Sequence, residues 1–134
     1  MGLKKFIVTT TINSPTLATK KFAAMKDWTL IVVGDTKTPH LEYEELDCIY
    51  LSPDIQQTID SDLSDSIGWK SIQRRNIGFL YAYNQGADIV ATVDDDNIPY
   101  DDWGKNVLVG QKIECDLYEP SQNEFDPLSV TNTP

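Results

Sequence analysis

The sequence predicts an α/β domain with a mostly parallel sheet flanked by helices, and three observations lead to this fold class. Short β-branched apolar runs alternate with segments of helical periodicity, in the order strand, helix, strand, strand, helix, strand, strand. The apolar runs are nearly continuous, which is typical of strands buried on both faces of a parallel sheet. With 134 residues, the chain is long enough for one domain with its own core. We place this domain at residues 1–118 and a polar tail at 119–134.

The first half of the chain is predicted to supply three strands and one helix. Residues 6–12 form the first strand, and Asn13-Ser14-Pro15 then offers an N-cap followed by a proline suited to the first helical turn. The helix is expected to run to about residue 26. Residues 28–33 and 48–51 are the second and third strands, separated by a polar loop.

The second half is predicted to contain one long helix between two strands. Residues 54–68 are rich in Ser, Asp and Gln and read as a loop, at most with one short helix. A helix is expected over residues 69–85, with Gly86 as its C′ cap. Residues 88–93 are the fourth strand. In residues 107–117, apolar and polar residues alternate enough to predict a fifth strand.

The most informative motif is the acidic triplet, Asp94, Asp95 and Asp96, which follows the fourth strand directly. Ligands of open α/β sheets bind at the carboxyl ends of the strands. Three adjacent carboxylates repel one another unless a cation or hydrogen-bond donors compensate them. Oxygen ligands without nearby Cys or His suit Mg²⁺ or Mn²⁺, which could in turn bind a diphosphate. The alternative is a turn or helix cap, where Asp bonds local backbone N–H groups.

Two further features are candidates for an anion-binding or nucleotide-binding site. Lys70 and Arg74 are four residues apart, which places them on one face of the predicted helix, next to Arg75 and Asn76. Such a face suits phosphate, but it could equally be a solvated surface with weak ion pairs. Asp35 follows the second strand, where an acid can accept hydrogen bonds from a ribose or a base, or can serve a turn.

Composition and missing motifs exclude several functional classes. The net charge of −10 argues against nucleic acid or an anionic membrane surface as a partner. There is no phosphate-binding glycine loop of either common type, and the single His40 excludes a site built from several histidines. Two cysteines form no disulfide framework, no stretch approaches transmembrane length, and no signal peptide is visible, so we expect a cytoplasmic location.

Together these features resemble glycosyltransferases of the GT-A fold, whose nucleotide-binding half is Rossmann-like. The similarity is greatest to the reversibly glycosylated polypeptide and STELLO-like group. It covers residues 5–102 and rests on four pieces of the sequence: Thr10-Thr11-Ile12, Asp35, the Lys70/Arg74-Arg75-Asn76 helix, and Asp94-Asp95-Asp96 as the "DxD" motif.

The resemblance implies a role for each matching residue. Thr10 and Thr11 would line the nucleoside pocket, and Asp35 would contact the base. Lys70 and Arg74 would reach the base or the diphosphate. In the acidic triplet, Asp94 would meet the ribose, Asp95 would belong to the same donor site, and Asp96 with Asp94 would ligate Mn²⁺ or Mg²⁺ between the donor phosphates.

The resemblance also implies a partner and a function. The chain is expected to be the donor-binding portion of a metal-dependent glycosyltransferase that takes a nucleoside-diphosphate sugar, with a UDP-sugar as the family-level expectation. No catalytic base can be named, the glycan or protein acceptor is unknown, and we expect either a missing C-terminal half or an oligomer. Two alternatives stay open: a non-catalytic nucleotide-sugar-binding or assembly domain, and a Mg²⁺-dependent phosphoryl-transfer domain.

Overall fold

A computed structural model describes residues 2–119, 124 and 126–131, and within them four parallel strands form one sheet in the order β3-β2-β1-β4. The strands are β1 (Lys5–Thr11), β2 (Thr29–Gly34), β3 (Ile49–Leu51) and β4 (Ile89–Thr92). β1 pairs with β2 from Phe6 opposite Thr29 to Thr11 opposite Gly34, and with β4 from Lys5 opposite Ile89. The predicted parallel α/β fold is confirmed.

Helices cover both faces of this sheet. They are α1 (Leu17–Ala23), α2 (Pro53–Ile59), α3 (Ser61–Ile67) and α4 (Arg75–Asn84). Strand side chains alternate between two cores, as the twofold periodicity of a strand requires. Ile7, Leu30 and Val32 pack with α1, whereas Val8 and Ile31 belong to the core that includes Ala82 of α4.

The predicted loop at residues 54–68 is wrong, because it contains α2 and α3. The side chain of the residue just before each helix caps it: Ser52 accepts a hydrogen bond from the Ile55 N–H, and Asp60 accepts one from the Leu63 N–H. Pro53 occupies the first turn of α2, where its missing N–H costs nothing. These caps stabilise helices whose sequence shows little apolar periodicity.

The long helix predicted at residues 69–85 begins later than expected. Lys70 has a backbone φ of 59°, which no α-helix accommodates, and a 3₁₀ helix (Ile72–Arg74) precedes α4. Gly86 follows the helix with φ of 75°, in agreement with the predicted C′ cap. Within α4, a Cβ on Gly78 would lie 2.5 Å from Val8 Cγ1 and 2.8 Å from Val33 Cγ2. The missing side chain therefore lets α4 lie directly on β1 and β2.

Two predictions about the last strands are wrong. β4 is not buried on both faces: it is at the edge of the sheet and pairs only with β1, and Val90 is 41% exposed. Residues 107–117 form no strand. The alternation there has no partner strand, and Gly110 has φ of 76° beside a turn in which the Gln111 N–H bonds Leu108 O.

The boundary between a domain at 1–118 and a polar tail at 119–134 stays a prediction. Much of the tail lies outside the described residues, which include there a 3₁₀ turn at Pro127–Val130. Over the described ranges, no helix is both long and apolar enough to cross a membrane.

Candidate functional site

A pocket of about 340 Å³ lies over the carboxyl ends of the strands, and we call it the strand-end pocket. β1 lies between β2 and β4 in the sheet. The chain passes from β1 through α1 to β2 on one side, and it returns through α4 to β4 on the other side. Open α/β sheets bind ligands at such a point, where the strand order reverses. The pocket volume is within the range of small-molecule sites. It is lined by Thr10, Thr11, Ile12, Asn13, Asp35, Lys37, Lys70, Ser71, Ile72, Arg74 and Asp95.

Asp35 is buried at the end of β2 and fixes two neighbouring segments. Its Oδ1 accepts hydrogen bonds from the N–H and the hydroxyl of Thr36, at 2.6 and 3.0 Å. Its Oδ2 accepts one from the backbone N–H of Lys70, at 2.8 Å. This last bond holds the unusual left-handed conformation of Lys70 and places the start of the 3₁₀ helix beside β2. Asp35 therefore shapes the pocket wall and keeps acceptor capacity on Oδ2.

Arg74 is 1% exposed and lies at the centre of a buried polar cluster. Its Nε and Nη2 donate to Gln56 Oε1 at 2.9 and 2.6 Å, and Nη2 also donates to Ser64 Oγ at 2.9 Å. Its Nη1 donates to the carbonyls of Ser64 and Gly68 at 2.9 and 3.4 Å. One face of the guanidinium stacks on Trp69, with its carbon 3.8 Å from the ring centroid.

The charge of Arg74 has no carboxylate partner within the described ranges. Among the described residues the ion pair between Arg75 and Asp94 is the one present, and every hydrogen bond from Arg74 goes to a neutral acceptor. Burial lowers the pKa of Arg74, while the more distant charges of Asp35 and Asp65 act in the opposite direction. A buried guanidinium of this kind makes the adjoining pocket favourable for an anion.

Gln56 connects this cluster to the sheet. It is fully buried, and its Nε2 donates to the carbonyls of Gly34 and Leu51, both at 2.7 Å. It thus links the ends of β2 and β3 to Arg74. The prediction that Lys70 and Arg74 share one helix face is wrong, because Lys70 has a left-handed backbone conformation and α4 begins only at Arg75. This cluster and the bond from Lys70 to Asp35 bring the two residues to one pocket instead.

Asp95 closes the β1 side of the strand-end pocket. Its Oδ2 accepts hydrogen bonds from Thr11 Oγ1 at 2.5 Å and Asn13 Nδ2 at 3.1 Å. The hydroxyl of Thr16, which caps α1, donates to the Asp95 carbonyl. The middle member of the acidic triplet therefore ties the loop after β4 to the loop after β1.

The other two members of the triplet lie outside the pocket lining. Asp94 is about half exposed and pairs through Oδ1 with Arg75 Nη2 at 2.7 Å. Asp96 is exposed, and no hydrogen bond to its side chain occurs within the described ranges. No group of three or more Asp, Glu, His or Cys side chains there converges as a metal site. Two carboxylates are nevertheless a common protein contribution to a Mg²⁺ site that substrate phosphates complete.

The structure thus gathers most of the predicted ligand-binding residues in one pocket: Thr10, Thr11, Asp35, Lys70, Arg74 and Asp95. Asp94 and Asp96 lie beside it. Sequence reasoning missed Gln56 and Asn13, and assigned no individual role to Arg75. A Gln inside a cap-rich polar stretch gives no signal in the sequence. Arg75 was visible as part of the basic segment, but only the structure shows that it reaches Asp94.

Comparison with characterised sequences points to the same group as the motifs. No family model matches the chain. "Probable glycosyltransferase STELLO2" of Arabidopsis thaliana is 30% identical over 133 residues, which cover 96% of this chain and 17% of that protein. "Probable glycosyltransferase STELLO1" of the same plant is 28% identical over 92 residues, covering 69% of this chain and 12% of that protein.

The chain is homologous to the STELLO-like glycosyltransferases. The predicted resemblance to the reversibly glycosylated polypeptide and STELLO-like group is confirmed by these STELLO relatives. The chain spans less than a fifth of the length of these relatives, 17% and 12%. The homologous stretch in STELLO2 extends over nearly all of the present chain, so it includes both the strand-end pocket and the acidic triplet.

Proposed function

We propose that this chain is the donor-binding portion of a metal-dependent glycosyltransferase and that the strand-end pocket binds a nucleoside-diphosphate sugar. The observation that carries the proposal is the buried, carboxylate-free guanidinium of Arg74 beside a pocket at the carboxyl edge of a parallel sheet. The homology to STELLO proteins supports a glycosyltransferase, because both relatives bear that description. A UDP-sugar is the donor we propose within this class.

The electrostatics of the pocket support an anionic ligand. The whole chain carries a net charge of −10, so a diffuse field would repel a diphosphate. Lys37, Lys70 and Arg74 line the pocket, and Lys70 is exposed and able to reach a ligand. The N–H groups of Arg74 are already used by Gln56, Ser64 and Gly68, so its charge acts on the ligand while its hydrogen bonds hold the wall.

The polar groups next to the cations support a nucleoside portion. Asp35 retains acceptor capacity for a base N–H or a ribose hydroxyl, and Thr10 and Thr11 place the end of β1 in the pocket floor. Ile72 is 64% exposed and lines the same pocket, so it offers an apolar surface for a planar base. Inorganic phosphate would use none of these contacts, which separates the proposal from a phosphoryl-transfer domain.

The acidic triplet fits a hard divalent cation through the chemistry of its donors. Asp96 offers an exposed carboxylate, and in the described part of the chain Asp94 Oδ2 has only Asn97 as a partner, at a long 3.4 Å. These two residues would hold Mn²⁺ or Mg²⁺, which neutralises the charge that develops on the leaving diphosphate. Asp95 uses its Oδ2 to accept hydrogen bonds from Thr11 and Asn13, and we assign it to the pocket wall and not to the metal.

Calorimetric titration tests the proposal. UDP, uridine and inorganic diphosphate are titrated into the purified chain with and without Mn²⁺, and into Asp96→Asn. Asp101→Asn is the matched control, because Asp101 is also an exposed acid but lies outside the triplet. We expect UDP to bind best, to require Mn²⁺, and to lose affinity only in Asp96→Asn. Equal UDP affinity in all these cases would contradict the proposed metal dependence. No UDP binding under any condition would contradict the proposed function itself.

A binding domain without its own catalysis is the competing function. No catalytic base is identified, and the chain spans a small part of its relatives. An assay for the hydrolysis of UDP-sugars without an acceptor distinguishes the two functions, because an enzyme would release free sugar and a binding domain would not. We expect the isolated chain to bind the donor and to turn it over far below the typical enzyme rate of about 10 s⁻¹. Rapid transfer by the 134-residue chain would show that this donor portion is catalytically sufficient.

A further inference from the structure

Arg74 and Arg75 are neighbours with opposite surroundings. Arg74 is buried, and all three of its guanidinium nitrogens donate to neutral oxygen acceptors. Arg75 is partly exposed, with 19% of its side-chain surface accessible, and only its Nη2 has partners in the part of the chain that is described. Its Nε is buried and has no hydrogen-bond partner there. Arg75 thus keeps unused donors directly beside the acidic triplet.

The partners of Arg75 are both at the end of β4. Nη2 donates to Asp94 Oδ1 at 2.7 Å and weakly to the Val93 carbonyl at 3.4 Å. Arg75 is the first residue of α4, and the close packing at Gly78 fixes this helix on the sheet. The guanidinium is therefore delivered to Asp94 by a rigid element.

We infer that Arg75 is the resident counter-ion of Asp94 and that a divalent cation at the acidic triplet displaces it toward the phosphate oxygens of the ligand. The inference rests on the proposed function for the identity of that ligand. A cation and a guanidinium repel each other, so both cannot share Asp94 at full strength. Once released, Arg75 has Nε and Nη1 available for a bidentate contact with phosphate, a geometry that guanidinium favours. Arg75 then weakens the binding of the metal when no nucleotide is present, and it strengthens the binding of the metal together with the diphosphate.

The two opposite effects give the test. Mn²⁺ affinity is measured without nucleotide from the free-ion signal in electron paramagnetic resonance, and UDP affinity is measured at saturating Mn²⁺. We expect Arg75→Gln to bind Mn²⁺ alone roughly tenfold more tightly and UDP roughly tenfold more weakly, a size typical of coupling between neighbouring charges. Arg75→Lys should retain most of the wild-type Mn²⁺ affinity. Lys105→Gln is the matched control, as an exposed cation away from Asp94.

A second variant separates a local charge effect from damage to the fold. In an Asp94→Asn background, where Mn²⁺ would keep Asp96 as a ligand and Arg75 would have no carboxylate to neutralise, adding Arg75→Gln should increase Mn²⁺ affinity by less than it does in the wild-type chain. Circular dichroism checks that each variant is folded. Unchanged or weaker Mn²⁺ binding by Arg75→Gln, or no Mn²⁺ binding by any variant, would overturn the inference. If Mn²⁺ binding tightens as expected but no protein binds UDP, the proposed function fails and the counter-ion role of Arg75 stands.

Discussion

Replacing Gly78 with Ala tests how closely α4 must approach the sheet to place Arg74 and Arg75. A new methyl group would lie 2.5 Å from Val8 Cγ1 and 2.8 Å from Val33 Cγ2, whereas carbon atoms in favourable contact are about 3.5–4.0 Å apart. The helix or the sheet must therefore shift by about 1 Å at this point. Both valines are buried and belong to paired strands, so displacing either one disturbs the core.

Two effects of this substitution oppose each other, and their sizes decide the outcome. Alanine favours a helix over glycine by about 1 kcal/mol. Overpacking a core usually costs about 1–3 kcal/mol. Because the overlap is with two buried side chains at once, we expect the cost to be in the upper part of that range. The free energy of unfolding should then fall by about 1–2 kcal/mol, which lowers Tm by roughly 4–8 °C for a chain of this size.

Urea unfolding followed by circular dichroism measures this change. Asn76→Ala is the matched control, because Asn76 is exposed on the same helix, and we expect it to change stability by less than about 0.5 kcal/mol. A Gly78→Ala protein as stable as the wild type, or more stable, would show that α4 does not need the close approach described above.

Further predictions concern the buried polar cluster and the cysteines. Arg74→Ala should weaken UDP binding more than Lys112→Ala, by calorimetry, and should also destabilise the fold by about 3 kcal/mol, because Gln56 loses its buried partner. A thiol reagent at pH 8 should label the exposed Cys115 quickly and Cys48 slowly, because burial and the nearby Asp47 raise the pKa of Cys48 to about 11. The unfolded chain loses that proton at lower pH than the folded one, so the free energy of unfolding should fall as pH rises from about 9 to 11.

The parallel α/β fold class and the position of the acidic triplet after a strand could be predicted because both follow from local patterns along the chain. Apolar β-branched runs such as Ile31-Val32-Val33 indicate strands from the local sequence alone. The end of such a run also marks the carboxyl edge of the sheet. Asp35 and the acidic triplet therefore lie near the same edge by topology alone.

The errors arose where distant contacts decide the structure. The spacing of Lys70 and Arg74 suggested one helix face, but a hydrogen bond from Lys70 N–H to Asp35 ends any helix there. The exposure of Val90 follows from the position of β4 at the sheet edge, which no local pattern specifies. The start of α2 was readable, since Ser52-Pro53 is the same cap signal that was used to predict the first helix.

The Gln56 and Arg74 cluster could not be predicted at all. Its members come from α2, α3, the 3₁₀ helix before α4 and the ends of two strands, and they meet only after the sheet has formed. Buried polar groups of this kind must find partners in the folded state, and sequence separation does not indicate which partners they find.

Amide chemical shifts during a titration with UDP and Mg²⁺ test the central claim most directly, because they report where on the chain the ligand binds. We expect the largest changes at the amides of Thr11, Asp35 and Lys70, which line the strand-end pocket. The indole N–H of Trp28, which belongs to a separate pocket at the opposite end of β1, should not change. Shifts concentrated around Trp28, or no shifts at Thr11, Asp35 and Lys70 at saturating UDP, would contradict the account.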